Sequence, residues 1–373
     1  MNHDSQLAST ADLDEQSHPG ALYGHLSTTA HAVRLTARVE RHENGAVLVL
    51  SRADVDSLLD PLELIDAVSS AMADLSAGHA SMPNRVAALV AERQGMLAVM
   101  PGYAPSIGAL TAKLVSLFPQ NAGGPLPTHQ ALIAAFDPAT GEPVAIMDGT
   151  SITALRTGAG SALSTRLLAR DDARVLTIIG TGVQARAHAR TVPLVRDFDE
   201  VRVAGRTPDK AERLAEELRG QGLPAEARPS FSDAIRGADV VCATTHALEP
   251  VVRREWLDSG THVTSVGYNP NGREVDDATV ADAFVTVESR TAALAPVPAG
   301  SNDLTQPIST GLIAADHIRA EIGELVAGTC PGRSSPDQIT LYKSVGVAVQ
   351  DAAAAKLLLS HAAARGIGRQ VTI

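Results

Sequence analysis

The spacing of apolar residues changes twice along the chain. Val47–Leu50 is a short apolar run that predicts a strand, and four apolar residues then recur at the spacing of one helix face: Ile65, Val68, Met72 and Leu75. Between residues 86 and 148 the pattern shifts to apolar or alternating runs, which predict four strands: Met96–Met100, Ala112–Phe118, Ala131–Phe136 and Val144–Met147. The Ala-rich segment Thr150–Arg170 then predicts a helix.

The second half of the chain alternates short apolar strands with helical segments. Five strands are predicted: Val175–Ile179, Val201–Ala204, Asp239–Thr244, His262–Val266 and Ala283–Val287. This alternation is typical of a parallel, doubly wound sheet, so the expected fold class is α/β. Residues 291–309 are rich in Pro, Gly and Ala and are expected to form a loop, whereas Val345–Leu359 predicts a final helix.

Residues 1–45 differ from the rest because they show no sustained hydrophobic period. They hold five of the chain's 12 histidines without metal-ligand spacing, and we expect a flexible extension. A net charge of -11 and an aromatic content of 3% argue against nucleic-acid and anionic-membrane partners. Two cysteines exclude a disulfide framework. Because no long apolar run or secretion signal is present, we expect a cytoplasmic protein.

A glycine-rich turn follows the first strand of the second half and opens a helix. Its pattern is G-x-G-x-x-A, spelled by Gly180, Thr181, Gly182, Val183, Gln184 and Ala185. In such a motif the first glycine permits a tight turn, the second lets the backbone approach a pyrophosphate, and the small third residue lets the helix pack on the strand. The helix N-terminus then offers free N–H groups to the phosphates. The motif predicts a dinucleotide site.

The end of the second strand of this half indicates which dinucleotide binds. An NAD site typically has an acid there, whereas this chain has Gly205, Arg206 and Thr207. A guanidinium can bind a 2′-phosphate in bidentate fashion, and a hydroxyl can also donate. We therefore predict NADP(H), with NAD(H) as the alternative if Arg206 only stacks on the adenine. Thr244, Val266 and Gly267, at the ends of the next two strands, complete the predicted cofactor site.

Three cations precede the nucleotide motif, and two of them, Lys113 and Arg156, lie in apolar segments. Arg85 precedes the strands, Lys113 lies among apolar strand residues, and Arg156 lies in the Ala-rich helix. A buried cation needs an anionic partner. From the pattern alone that partner can be a substrate carboxylate, the cofactor phosphates or a structural acid.

Several motifs that follow one another along the chain are similar to those of a known family. They are Ser81–Arg85, Thr111–Val115, Thr128–Ala131, Asp137–Pro143, Ile152–Ala159, Ile179–Ala185, Glu249–Pro250, Ser265–Gly267, Arg273–Glu274 and Leu341–Ala348. From about Val47 to the end, the chain resembles the ornithine cyclodeaminase/mu-crystallin family. Members of the mu-crystallin type carry Asn-Arg-Thr where this chain has Gly205-Arg206-Thr207, and they resemble NADPH users.

The resemblance implies a homodimer whose subunits each have two domains. Residues 46–165 with 341–373 would form the substrate-binding and dimerisation domain, and residues 166–340 a Rossmann domain. It also implies that Arg85 and Arg156 bind a substrate carboxylate and that Lys113 lies beside the reacting carbon. The phosphate loop of the family corresponds to Gly180, Gly182, Val183 and Gln184.

One position departs from the cyclodeaminase pattern. Cyclodeaminases have an Asp shortly after the segment matching Val266-Gly267, whereas here the stretch is one residue shorter and the nearest candidate is Asn269. An Asn cannot take a proton, and ring closure needs a base. Asp276 and Asp277 lie nearby in sequence, without a spacing that shows a substitute.

Three functions follow as hypotheses. The first is an NADP(H)-dependent reductase of C=N or C=O groups alpha to a carboxylate, with a cyclic imino acid or an oxo acid plus an amine as substrate, and with Lys113 as proton donor. The second is an NAD-using ammonia lyase of the cyclodeaminase type, disfavoured by Asn269. The third is a non-enzymatic nucleotide or small-ligand binding protein. For His129 and Glu288 the sequence favours ordinary structural or solvated roles over roles in the pocket.

Overall fold

The structure, a computed structural model, describes residues 45–297 and 299–373. The strands are β1 (Ala46–Leu50), β2 (Val86–Val90), β3 (Gly95–Ala104), β4 (Ala109–Leu117), β5 (His129–Phe136), β6 (Pro143–Asp148), β7 (Val175–Ile179), β8 (Glu200–Ala204), β9 (Ala225–Ala227), β10 (Val240–Ala243), β11 (His262–Ser265), β12 (Phe284–Val287), β13 (Ile318–Glu321), β14 (Thr340–Lys343) and β15 (Arg369–Thr372). They form two separate sheets.

Eleven α-helices are present in the described residues. They are α1 (Arg52–Leu58), α2 (Pro61–Ser76), α3 (Gly149–Leu168), α4 (Val183–Thr191), α5 (Pro208–Gly220), α6 (Phe231–Ile235), α7 (Asp277–Asp282), α8 (Arg290–Ala293), α9 (Asn302–Ser309), α10 (Ile322–Val326) and α11 (Ala348–Arg365). In the described part of the chain, none of these helices has the length and hydropathy needed to cross a membrane.

The first sheet has seven strands in the order β15-β1-β6-β5-β4-β3-β2. Its pairs are antiparallel except for β1 with β6. One face packs against α2, α3 and α11, because alternate strand residues such as Ile133 and Met147 are apolar and become buried there. On the opposite face, the register aligns Val86, Val99, Leu114 and Leu132 in one row across four strands. Leu132 in this row is 53% exposed.

The second sheet has eight strands in the order β13-β12-β14-β11-β10-β7-β8-β9, all parallel. The central strands β7, β10 and β11 have almost no exposed residue, as expected for a sheet covered on both faces. Because the strands are parallel, their carboxyl ends lie at one edge, where α/β folds bind ligands. The predicted doubly wound α/β fold is confirmed.

Several boundaries differ from the sequence predictions. Residues 291–309 are not a single loop, because Ser301 caps the helix α9 and Leu304 and Pro307 are buried. The strand β14 pairs with β11 and β12, so the parallel sheet continues past the predicted boundary at residue 340. The division into two domains itself stays a prediction. The predicted extension over residues 1–45 lies, except for Gly45, outside the described residues.

Candidate active site

The glycine-rich turn between β7 and α4 forms at the carboxyl edge of the parallel sheet. Gly180 has a φ of +122°, and a Cβ at this position would lie 2.6 Å from Thr244 Oγ1. Its N–H donates to Ala204 O at 2.8 Å. Only a glycine combines this backbone angle with so close an approach to Thr244. Thr244 Oγ1 in turn donates to Ile179 O, which joins the ends of two neighbouring strands.

The N-terminus of α4 is open. Gly182 is its N-cap residue and supplies no side-chain cap, and a Cβ there would meet nothing within 4 Å. Val183, the first helical residue, is 60% exposed. Gln184 Oε1 is buried without a hydrogen-bond partner among the described residues. An uncapped helix N-terminus beside an open backbone cradle fits a phosphate group.

The end of β8 presents donors and no acid. Arg206 is exposed and makes no hydrogen bond or ion pair with the part of the chain described. Thr207 is the N-cap residue of α5 but makes no side-chain cap bond. A larger residue at position 205 would clash with Thr181, because a Cβ there would lie 2.7 Å from Thr181 Cγ2. The guanidinium and the hydroxyl are therefore both available to a ligand.

A buried carboxylate ties together the loops that follow β10 and β11. Glu274 is 1% exposed and accepts from Thr245 N and Oγ1, Ser265 Oγ and Gly267 N at 2.5 to 2.8 Å. A side chain at Gly267 would collide with Glu274, so the glycine is needed here. Lys343 Nζ donates to Ser265 Oγ and Gly267 O. These bonds fix the predicted cofactor residues Val266 and Gly267 at the carboxyl edge of the sheet.

Lys113 and Arg156 come together through an acid from the far end of the chain. Asp351 lies in α11, where Lys113 Nζ is 2.7 Å from its Oδ2 and Arg156 Nε donates to its Oδ1 at 3.1 Å. Arg156 also donates to Gln350 Oε1. All three charged residues of this cluster are buried. For Lys113 and Arg156, the partner within the chain is thus a structural acid, one of the alternatives that the sequence leaves open.

Burial and mutual charge decide the protonation of this cluster. Burial, opposed in part by Asp351, lowers the pKa of Lys113 to about 8, and the positive charge of Arg156 also lowers it. Burial acts to raise the pKa of Asp351, but Lys113 and Arg156 outweigh it and hold that pKa below its usual value. The ammonium group is therefore charged near neutrality and can release its proton more easily than an ordinary lysine.

Arg85 differs from the other two cations because no carboxylate of residues 45–297 or 299–373 contacts it. Its Nη2 donates to the carbonyls of Val345 and Gly346 at 3.3 and 3.0 Å. The structure gives its Nε and Nη1 no partner among the described residues. Burial, together with the charge of Arg156, lowers the pKa of Arg85, while Glu288 acts to raise it. A guanidinium that still has unpaired donors is suited to an incoming carboxylate.

A cavity of about 40 Å³ lies against Arg85. Its lining is mostly apolar and includes Met82, Met100, Ala292 and Val347. The polar side chains of the described lining are Arg85 and Asn84, and no carboxylate is among them. An apolar cavity with one cation at its wall is the usual form of a site for a small organic anion.

His129 lies at the start of β5, near the cation cluster. Its strand position places it on the same face as Ile133, which pairs with Lys113 across the sheet. Burial first, and then the charges of Lys113 and Arg156, lower its pKa to about 4. The imidazole is therefore neutral near pH 7 and adds no further positive charge to the cluster.

The side chain of Asn269 links the loops that follow β10 and β11. Its Nδ2 donates to His246 O at 3.2 Å, and its Oδ1 accepts from Asn271 N at 3.0 Å. The described contacts do not bring it to Lys113, Arg85 or Arg156. Within the part of the chain that the structure describes, no group of three or more His, Cys, Asp or Glu residues could hold a metal ion.

Sequence reasoning missed Asp351 and gave Glu288 a minor role. Asp351 lies in an apolar, Ala-rich segment, and the argument that a buried cation needs an anion applies equally to a buried acid. That signal was available in the sequence. Glu288 was expected to be solvated, but it is fully buried and binds the loop that contacts Arg85, because that loop folds over the end of β12.

Comparisons with known proteins show what the chain is similar to. Residues 46–366 match the model of the ornithine cyclodeaminase/mu-crystallin family. The chain is 37% identical over 328 residues to a Delta(1)-pyrroline-2-carboxylate reductase from Bacillus cereus, covering 87% of this chain and 99% of that protein. It is 38% identical over 307 residues to the ketimine reductase mu-crystallin of Mus musculus, covering 81% and 93% of the two chains.

A solved structure is similar over the same length. It is the Delta(1)-pyrroline-2-carboxylate reductase of Thermococcus litoralis in complex with NADH and L-proline. The TM-score is 0.83 and the sequence identity 39%, and the match covers 87% of this chain and 100% of that one.

Proposed function

Since the chain belongs to the ornithine cyclodeaminase/mu-crystallin family, we propose that it is a nicotinamide-dependent reductase of cyclic imino acids. The substrate is a small ring with a C=N bond alpha to a carboxylate, such as pyrroline-2-carboxylate or piperideine-2-carboxylate. The observation that carries the proposal is Arg85, a cation with unpaired donors at the wall of an apolar cavity.

The charges that interact with Arg85 favour one bound carboxylate. Arg85, Arg156 and Lys113 face two buried carboxylates, Asp351 and Glu288, which leaves an excess of one positive charge. Asp351 contacts Lys113 and Arg156, so the excess is available at Arg85. We therefore assign Arg85 as the main group that binds the carboxylate. Arg156 supports it through the field of its charge rather than as an equal partner.

The apolar lining favours a ring without a second charged group. Met82, Met100 and Val347 offer contact to methylene groups. A diamino acid such as ornithine would bring a second amine, and the described lining has no carboxylate for it. This favours imine reduction over ammonia elimination. Asn269, held between two loops and unable to take a proton, supplies no base for ring closure.

Lys113 is proposed as the proton donor for the imine nitrogen. Its pKa of about 8 keeps it protonated at neutral pH yet ready to release the proton. Asp351, 2.7 Å away, holds the ammonium group in place. The orientation of the substrate by Arg85 lowers the barrier further, because a fixed geometry removes an entropic cost from the reaction step.

The residues at the carboxyl edge of the parallel sheet fit a nicotinamide dinucleotide. The uncapped N-terminus of α4 and the open backbone at Gly182 would hold its pyrophosphate, with Thr181, Val183 and Gln184 beside it. When bound, this cofactor supplies the hydride. Thr244, Val266 and Gly267 form the proposed remainder of its site, since Glu274 and the strand ends hold them at the same edge.

We propose NADP(H) as the preferred form of the cofactor. Arg206 is exposed and unpaired within the described residues, and Thr207 has a hydroxyl that makes no cap bond. None of the three residues directly after β8 is an acid that could accept from an adenosine ribose. The similar structure from Thermococcus litoralis holds NADH, so the preference is a property that we propose for this chain and not for the family.

The subunit arrangement follows as a proposal. The first sheet with α11 forms a substrate-binding domain from residues 46–165 and 344–373, and the parallel sheet forms the Rossmann domain between them. The exposed apolar row that includes Leu114 and Leu132 would be covered by a second copy of the chain. Sedimentation of the wild type and of Leu132→Lys tests this: a homodimer should dissociate in the variant, and a wild-type monomer would contradict it.

Two assays in parallel test the function. Purified protein is mixed with pyrroline-2-carboxylate and NADPH or NADH, and separately with L-ornithine and NAD, while reduced cofactor and free ammonia are measured. The proposal expects one NADPH consumed for each L-proline formed, with no ammonia from ornithine. Ammonia release without net change in cofactor would instead indicate a lyase. Tight binding of NADPH without turnover of either substrate would indicate a binding protein.

A further inference from the structure

The loop between β14 and α11 separates the two guanidiniums of the site. Val345 O and Gly346 O accept from Arg85, while a Cβ on Gly346 would lie 2.8 Å from Arg156 Nη2. Gly346 has a φ of +75°, so both its backbone angle and its contact with Arg156 require a glycine. The position of this loop therefore sets where Arg85 lies relative to Arg156.

Glu288, directly after β12, holds this loop. Its Oε1 accepts from Ser344 Oγ at 2.6 Å and from Gly346 N at 3.1 Å, and its Oε2 accepts from Val345 N at 2.8 Å. The residue is fully buried. All its described hydrogen bonds come from three consecutive residues of the loop. Carboxylates bound by several backbone N–H groups fix a loop more firmly than neutral acceptors do.

The charge of Glu288 also reaches Arg85. No cation within the described residues forms an ion pair with this carboxylate, although it is buried. Its charge favours the charged form of Arg85. Burying a carboxylate costs free energy unless hydrogen bonds or opposite charges compensate it, and a neutral residue after β12 would avoid this cost. The hydrogen bonds of the loop compensate this carboxylate, and its charge acts on Arg85 as well.

We propose that Glu288 is the positioning residue of the substrate-binding guanidinium, acting through the loop Ser344–Gly346. Glu288 orders the two carbonyls that hold Nη2 of Arg85, and this leaves Nε and Nη1 directed to a substrate carboxylate. The proposal deepens the proposed function and rests on it, because Arg85 is assigned there as the group that binds the carboxylate.

The test separates binding from turnover in two variants. Glu288→Gln keeps the shape but places an amide N–H₂ against a backbone N–H, and it removes the charge. We expect it to raise KM for pyrroline-2-carboxylate about 10- to 100-fold, as for a lost charge-assisted hydrogen bond, with kcat changed less than about 3-fold. Glu288→Asp, which keeps the charge, should recover part of the lost affinity. The dissociation constant of the unreactive probe pyrrole-2-carboxylate, measured by calorimetry, should follow KM.

Asp239→Asn is the matched control. Asp239 is a carboxylate at the opposite edge of the same sheet and accepts from Arg174 N and Val175 N. Its loss should lower the melting temperature without changing the affinity for the probe. The proposal is overturned if Glu288→Gln binds the probe like the wild type, or if it loses kcat alone. Should this variant not fold, Ser344→Ala replaces it, and an unchanged affinity there would overturn the proposal.

Failure of the proposed function gives a different pattern. If the wild type binds pyrrole-2-carboxylate in a Glu288-dependent way but does not reduce the imino acid, the reductase function is refuted and the positioning role is supported. If the wild type reduces the imino acid and Glu288→Gln leaves KM unchanged, the positioning role is refuted and the reductase function is supported. If the wild type binds no carboxylate, both proposals are refuted.

Discussion

The charged residues in the two halves of the site have opposite surroundings. At the carboxyl edge of the parallel sheet, Arg206 is exposed, unpaired among the described residues, and adjacent in sequence to the strand that presents it. In the cation cluster, Lys113 and Arg156 are buried and compensated by Asp351, which lies more than 190 residues further along the chain. A charge at the surface needs no partner in the protein, whereas a buried charge destabilises the fold unless an opposite charge or several hydrogen bonds compensate it.

This difference predicts which substitutions change ligand affinity alone and which also change the stability of the fold. A change at the exposed end of the site should alter ligand affinity without altering stability, because water replaces what is lost. A change in the buried cluster should alter both. Arg85 lies between these cases, since it is partly buried but lacks a carboxylate partner within the described residues. Substitutions should therefore affect stability most in the buried cluster, less at Arg85 and least at Arg206.

The largest expected effect is that of Asp351→Asn. It leaves Lys113 and Arg156 buried without their shared anion, and we expect the free energy of unfolding to fall by about 3–5 kcal/mol. Denaturant unfolding followed by circular dichroism measures it. Arg206→Ala is the control from the exposed region and should change stability by less than about 0.5 kcal/mol. Equal effects of the two variants would remove the distinction between the regions.

Arg206→Asp should change cofactor affinity without affecting the fold. The substitution replaces the donor proposed for the 2′-phosphate with a repelling carboxylate, so the dissociation constant for NADPH should rise about 10- to 100-fold while that for NADH changes little. Fluorescence titration of the reduced cofactors measures both constants. Arg213→Asp, the same charge change in the second turn of α5, serves as the control. An unchanged affinity for NADPH in Arg206→Asp would refute the assignment of the 2′-phosphate site.

The pH dependence of turnover should reveal the buried lysine. Burial lowers the pKa of Lys113 to about 8, so its ammonium form is present below that pH and lost above it. If Lys113 donates the proton, kcat/KM for the imino acid should be level up to pH 8 and then fall about 10-fold per pH unit. A pH–rate profile at saturating cofactor tests this. Lys113→Arg should be less active and lack the break at pH 8; a break that persists would assign it to another group.

The smallest expected effect is that of Asn269→Asp. The side chain bonds to His246 O in the neighbouring loop and to Asn271 N in its own loop, so a carboxylate there gains no substrate contact. We expect kcat/KM for the imino acid to stay within about 5-fold of the wild type, and no ammonia to be released from ornithine. Ammonia formation by this variant would instead make position 269 the residue that separates reductase from cyclodeaminase chemistry.

The sequence predicts local features of this molecule better than distant contacts. The turn Gly180–Gln184 and the strand before it follow from a few neighbouring residues, and the structure places them as expected. The partners of Lys113 and Arg85 lie in α11 and in the loop before it, and no local pattern links them to β4 or β2. The helix α9 was missed because its Pro307 and Gly300 before it are typical of a loop, while burial of Leu304 stabilises it as a helix.

The claim that Arg85 carries the unpaired positive charge of the site is tested most directly by comparing two substrates. Pyrroline-2-carboxylate and 1-pyrroline differ only by the carboxylate, and kcat/KM is measured for both with the wild type and with Arg85→Met. We predict that the wild type prefers the carboxylate substrate by about 100-fold or more and that Arg85→Met loses most of this preference while remaining folded. An equal preference in the two proteins would show that the carboxylate is bound elsewhere and would contradict the account.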